Sequence, residues 1–182
     1  MEIEKAQMGE NVDETPNQAQ DQFLTFILGA ETYGLDILRV QEIRGWEPPT
    51  ELPNTPEYIK GVINMRGAVV PIVDLRQRFK IGEVVYNDAT VVIITHFNYQ
   101  VSGSDEVLQK TIGLVVDGVS DVYDVNLAEL QPAPSFGDTK RVSGEFVKGL
   151  ATLDHTMIII LNVDLMINQG IYEEVSEFLA VA

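Results

Sequence analysis

An all-β fold is predicted, a barrel or sandwich formed twice within one chain, and three observations carry that expectation. From Phe23 the chain is a series of short β-rich runs punctuated by Gly, Pro and Asn or Asp. Two blocks of it recur in the same order, and a clear helical period appears only near its end.

Taken in order, residues 1–20 come first, with Glu2, Glu4, Glu10, Asp13 and Glu14 among Gln, Asn and Pro16. Such a segment buries too little apolar surface to offset the entropy of ordering it, so a disordered acidic tail is expected. The runs FLTFIL, YGLDIL, GVINM, AVVPIVDL, TVVIIT, IGLVV, KGLATL and MIIILNV then read as strands. Short helical turns are expected at Pro56 to Lys60 and after Val163. A C-terminal helix is expected over 169–182, because Ile171, Val175, Phe178 and Leu179 form one apolar stripe.

The duplication is the sharper signal. Tyr58 to Leu75 aligns without a gap to Phe146 to Val163, so that Lys60 and Gly61 recur as Lys148 and Gly149. Upstream, Tyr33 to Ile43 aligns to Ile112 to Val122, matching Gly34 with Gly113, Val40 with Val119 and Glu42 with Asp121. Two matches in the same order predict two related barrels, about 22–85 and 86–165 within a folded region of 21–168, with exchange of strands between them allowed. A groove between the two is the natural binding surface.

Composition narrows the function. With 28 Asp and Glu against 12 Lys and Arg, the net charge of −16 argues against binding nucleic acid through its phosphates. The absence of cysteine removes disulfides, thiolate catalysis and Cys-ligated zinc. The N-terminal residues hold no apolar stretch, so no signal peptide is expected there, and the longest aliphatic run, Met157 to Leu161, is too short to cross a bilayer. A soluble, cytoplasmic protein without direct membrane insertion is expected.

Chemical motifs are sparse. His96 and His155 lie in no zinc-ligand spacing, and no nucleophile elbow, phosphate loop or metalloprotease motif occurs. No cofactor or catalytic residue is therefore assigned. Asp74, Asp117, Asp121 and Asp124 follow strands and are read as turn residues, the competing reading being a carboxylate-dependent hydrolase or a small-ligand binder. Seven of the basic residues, Arg39, Arg44, Lys60, Arg66, Arg76, Arg78 and Lys80, fall between 39 and 80, where they form either a partner-orienting region or a solvated face.

The run YGLDILRVQEIRG from Tyr33 to Gly45, Asn54-Thr-Pro, Ile59-Lys-Gly, Asn64-Met-Arg-Gly67 and Val70 to Arg76 strongly resembles the CheW family of chemotaxis coupling proteins. Val115 to Asp121, Gln131-Pro-Ala-Pro134 and Met157 to Asn162 continue the match over residues 21–182. The resemblance implies two five-stranded SH3-like barrels and a non-enzymatic adaptor. It also implies partners: the regulatory domain of the histidine kinase CheA and the cytoplasmic tips of chemoreceptors, assembled into rings and recruited to membrane receptor arrays. On this chain it places receptor contacts at Ile37, Val40, Glu42, Arg66, Gly113 and Val115, with Glu42 and Arg66 as an acidic–basic pair, and kinase or assembly contacts at Gln131 and Phe136. Two departures stand out. The segment from His96 to Lys110 is about ten residues longer than the usual connection, and Gln131 replaces a basic residue common among relatives.

Overall fold

The computed structural model describes residues 20–133 and 144–179. Residues 1–19 of the expected acidic tail, Phe136 and the last three residues of the expected C-terminal helix lie outside them, as do the side chains of Phe178 and Leu179, whereas Gln20 begins the first strand. The strands are β1 (Gln20–Leu28), β2 (Glu31–Asp36), β3 (Val40–Gly45), β4 (Ile59–Met65) and β5 (Ala68–Asp74), then β6 (Val91–Gln100), β7 (Val107–Val116), β8 (Gly118–Asn126), β9 (Val147–Leu153) and β10 (Thr156–Leu161). Helix α1 (Leu75–Phe79) follows β5, and α2 (Val163–Ile167) follows β10. The chain runs from α2 through a π turn (Asn168–Tyr172) into α3 (Glu173–Leu179). Pro56 to Lys60 forms no helix: a turn, closed by Ile59 N–H donating to the Pro56 carbonyl, leads straight into β4.

The strands lie in two five-stranded sheets, ordered β8-β1-β2-β10-β9 and β3-β6-β7-β5-β4. The sheets do not follow a sequential division at about residue 85 and take instead the exchange of strands that the duplication allows. Each repeat lends its first two strands to the other's sheet, so the first sheet joins β1 and β2 to β8–β10, and the second joins β3–β5 to β6 and β7. The physical cause is the parallel pairing of β2 with β10 and of β7 with β5, which a sequential arrangement does not provide. Each sheet curls, and a bridge beyond its edge strand closes it: Thr50 pairs with Val62 in the second, Gln131 with Leu150 in the first.

The duplication extends to single residues. Gly34 opposes Ile160 in one parallel pair and Gly113 opposes Ile72 in the other. A Cβ on Gly34 would stand 2.7 Å from Ile160 Cδ1, and one on Gly113 2.5 Å from Ile72 Cδ1. Glycine is required there because the neighbouring isoleucine occupies the space. Asp74 caps α1 by accepting from Arg76 and Gln77 N–H, and Asn162, its counterpart, caps α2 by accepting from Leu165 N–H.

Three cores hold the fold. Phe23, Val125, Ala151, Ile158 and Ile160 fill the first sheet, while Val70, Ile72, Val92, Ile94 and Val115 fill the second. A larger cluster joins them, with Phe26, Leu35, Phe97, Leu114, Met166 and Ile171 among its members. Central strands buried on both faces read as continuous apolar runs, as Ile112 to Val116 does. In the C-terminal helical segment Ile171 and Val175 are buried as the stripe predicts.

Candidate partner-binding surface

The chain crosses from the first sheet to the second at residues 37–39. There the Asp36 carboxylate accepts from Leu38 N–H at 2.9 Å and starts a single 3₁₀ turn, Ile37–Arg39. Ile37 and Val40 are half-buried against the joint core. Leu38 points outward and is 77% exposed, the highest value for a large apolar side chain among the described residues. Edge strand β3 continues this region with half-buried Glu42, exposed Ile43 and exposed Arg44. The result is an apolar step beside charged groups at the junction of the sheets, suited to an apolar helix stripe whose register is fixed by a charged rim.

Several expected contacts fall elsewhere. Gly113 and Val115 are buried in the second sheet, Val115 among Val70, Ile72, Val92 and Ile94. Strand alternation turns both inward, so neither supplies a surface side chain. Arg66 is exposed at the β4–β5 turn with φ 52° and makes no ion pair among the described residues. Glu42 is paired instead with Arg44, at 3.5 Å between Oε1 and Nε, so the expected Glu42–Arg66 pair is not formed. Gln131 is exposed, and its backbone pairs in both directions with Leu150.

The basic region is largely engaged within the protein. Arg39 pairs with Asp164 at 2.6 Å and Arg76 with Asp117 at 2.9 Å. Arg78 donates to the Gly170 carbonyl and lies over the Tyr58 ring, and its burial lowers its pKa. Lys60 donates to Gln77. Arg66 and Lys80 are left on the surface. An aromatic pair adds to this side: Trp46 stacks on Tyr86 at 4.3 Å, and the Tyr86 hydroxyl donates to buried Asp74 at 2.6 Å. Burial, and then this bond to Asp74, raises the Tyr86 pKa.

The aspartates offer no paired carboxylates. Asp74 accepts from the α1 backbone and Tyr86, and Asp117 accepts from Gly29 N–H and Arg76. Asp121 and Asp124 are exposed on β8. Among the described residues no group of His, Asp or Glu side chains is placed to hold a metal. His96 lies within β6 and His155 in the β9–β10 turn. Nor is any helix among those residues long and apolar enough to cross a membrane.

The His96–Lys110 segment is a continuous hairpin, paired from His96 with Thr111 to Gln100 with Val107. Residues 98–109 replace the tight Gly29-Ala30 turn of the other repeat and leave Val107 exposed at their tip. Sequence reasoning missed Leu38, whose signal is an Asp two residues earlier, and the Trp46–Tyr86 stack, which has no local signal.

The CheW-like domain model matches residues 22–170. Chemotaxis protein CheW of Klebsiella aerogenes is 43% identical over 147 residues, covering 81% of each chain. A probable chemotaxis protein CheW of Rhizobium etli is 33% identical, over 84% of this chain and 91% of that protein. The crystal structure of the scaffolding protein TtCheW from Thermoanaerobacter tengcongensis superposes with a TM-score of 0.66 at 32% identity, over 81% of this chain and 88% of that one. With the exchanged five-stranded sheets, these matches show that the chain belongs to the CheW-like domain family.

Proposed function

We propose that the chain is a chemotaxis coupling scaffold that joins the cytoplasmic tips of chemoreceptors to the histidine kinase CheA within a signalling array. It acts by assembly and has no turnover of its own. The observation carrying this reading is the family match over residues 22–170, on a fold whose two sheets present separate faces. The receptor tip binds at the junction of the sheets, through Ile37, Val40 and Glu42 together with exposed Leu38, and the nearby charges set its register. The kinase regulatory domain binds beside Gln131, with Phe136 as its aromatic anchor. Membrane recruitment follows from the receptors rather than from a span of this chain.

Titration of the labelled full chain with purified receptor-tip and kinase regulatory-domain fragments tests the proposal. Saturable binding of both, at sites that do not compete, is expected. Binding of neither fragment, together with thermal stabilisation by a metal or metabolite, would replace it with a ligand-binding role.

A further inference from the structure

The chain passes between the two sheets twice, at residues 37–39 on leaving β2 and at Asp117 on leaving β7. An ion pair stands at each crossing. Arg39, the last residue before β3, meets Asp164, the second residue of α2, at 2.6 Å. Asp117, the last residue before β8, meets Arg76, the second residue of α1, at 2.9 Å. The helix members Arg76 and Asp164 correspond in the duplication, and their partners at the crossings, Asp117 and Arg39, stand one residue apart in the alignment, so the two pairs have opposite polarity. Both are more sheltered than the Glu42–Arg44 pair, with side-chain exposures of 24% and 32% and of 19% and 21%, against 34% and 44%.

Each acid also holds backbone from the other sheet or from the neighbouring turn. The second oxygen of Asp164 accepts from Asn98 N–H at 2.9 Å, while Asn168, one helical turn on, donates to the Asn98 carbonyl at 2.7 Å. The helix thus satisfies the β6 edge beyond Thr95, where the pairing with β3 ends at Val40. Asp117 accepts from Gly29 N–H at 2.7 Å, tying the β1–β2 turn of the first sheet to α1 of the second.

We propose that Arg39–Asp164 and Arg76–Asp117 are crossover clamps, positioning residues that fix the angle between the two sheets so that partners bound on separate faces are held in one geometry. This rests on the coupling function proposed above. The paired charges face each other, and they transmit the state of one face to the other by keeping the sheets from rocking about the two crossings.

The chain has no cysteine, so a spin-label pair can be placed without background. Val69→Cys on β5 and Met157→Cys on β10 lie at corresponding exposed positions of the two sheets. In the full chain so labelled, a single narrow distance distribution is expected. Asp117→Asn with Asp164→Asn keeps the side-chain shape and one acceptor oxygen at each site and removes the charges, and it broadens the distribution. Arg39→Asp alone broadens it as well, and Arg39→Asp with Asp164→Arg narrows it again. In a reconstituted assay the double Asn variant binds each partner fragment within about twofold of the parent, while receptor control of the kinase falls about fivefold or more. An unchanged distribution in the double Asn variant would overturn the clamps, as would broadening that leaves receptor control intact. If the parent chain bound neither partner, the coupling reading would fall, and the distance measurement would still decide whether the pairs fix the angle.

Discussion

Gly61→Ala should be among the most damaging single-methyl changes in this fold. Gly61 lies in β4 with φ +139°, and a Cβ there would overlap the Thr50 carbonyl oxygen. That oxygen accepts from Val62 N–H at 2.9 Å, and Thr50 N–H donates to the Val62 carbonyl at 3.0 Å, which closes the second sheet. Because the obstacle is backbone, relief requires the bridge to open. Two hydrogen bonds lost at about 1 kcal/mol each and a backbone penalty of about 1–3 kcal/mol give a destabilisation of about 3–5 kcal/mol. For a domain of this size that lowers Tm by about 6–20 °C. The counterpart Gly149 has no positive φ, and its added Cβ would stand 2.9 Å from the Gln131 carbonyl, so Gly149→Ala should cost less. Scanning calorimetry of both variants decides the matter. A Gly61→Ala protein melting within about 2 °C of the parent would refute the reasoning, as would a larger loss at Gly149.

Three further outcomes are expected. In an ultraviolet titration Tyr86 should ionise well above the ordinary tyrosine range, and Tyr86→Phe should abolish that late step; since the unfolded chain loses this proton first, stability should fall as pH rises above about 10. Gly113→Ala crowds Ile72 and Val92 Cγ1, the latter at 2.9 Å, and should cost about 1–3 kcal/mol by urea unfolding through overpacking. Because Glu42 pairs with Arg44, exchanging the charges of Glu42 and Arg66 should restore no more receptor binding than the single reversals; clear recovery in the exchange variant would show that the two charges meet on binding.

Much of the fold was legible because its interior strands are apolar on both faces. The runs at 90–95 and 112–116 announce themselves, and the paired glycines at 34 and 113 mark the duplication. The strands that went unread are β3 and β8, the edge strands whose outward positions carry Gln41, Arg44, Asp121 and Asp124. Polar edges hide the period that identifies a buried strand. These strands follow the two crossings, so missing them left open which strands are exchanged between the sheets. Helix α1 was readable from the repeat, since Leu75–Phe79 corresponds to Val163–Ile167, although five residues carry too little period of their own. At the candidate surface, sequence located Ile37, Val40 and Glu42 on exposed or half-buried backbone. Gly113 and Val115 lie buried in the second sheet, and a strand buried on both faces gives no sign in sequence of which residues face a partner.

Receptor-controlled kinase activity in a reconstituted mixture is the most direct test of the coupling function. Receptor fragment and kinase are combined, the full chain is titrated in, and phosphate incorporation is followed with and without receptor ligand. Ligand-sensitive phosphorylation that appears only when the chain is present, and saturates as it is added, is the predicted result. Ligand control equally strong without the chain, or none at any concentration of it despite binding to both partners, would contradict the account.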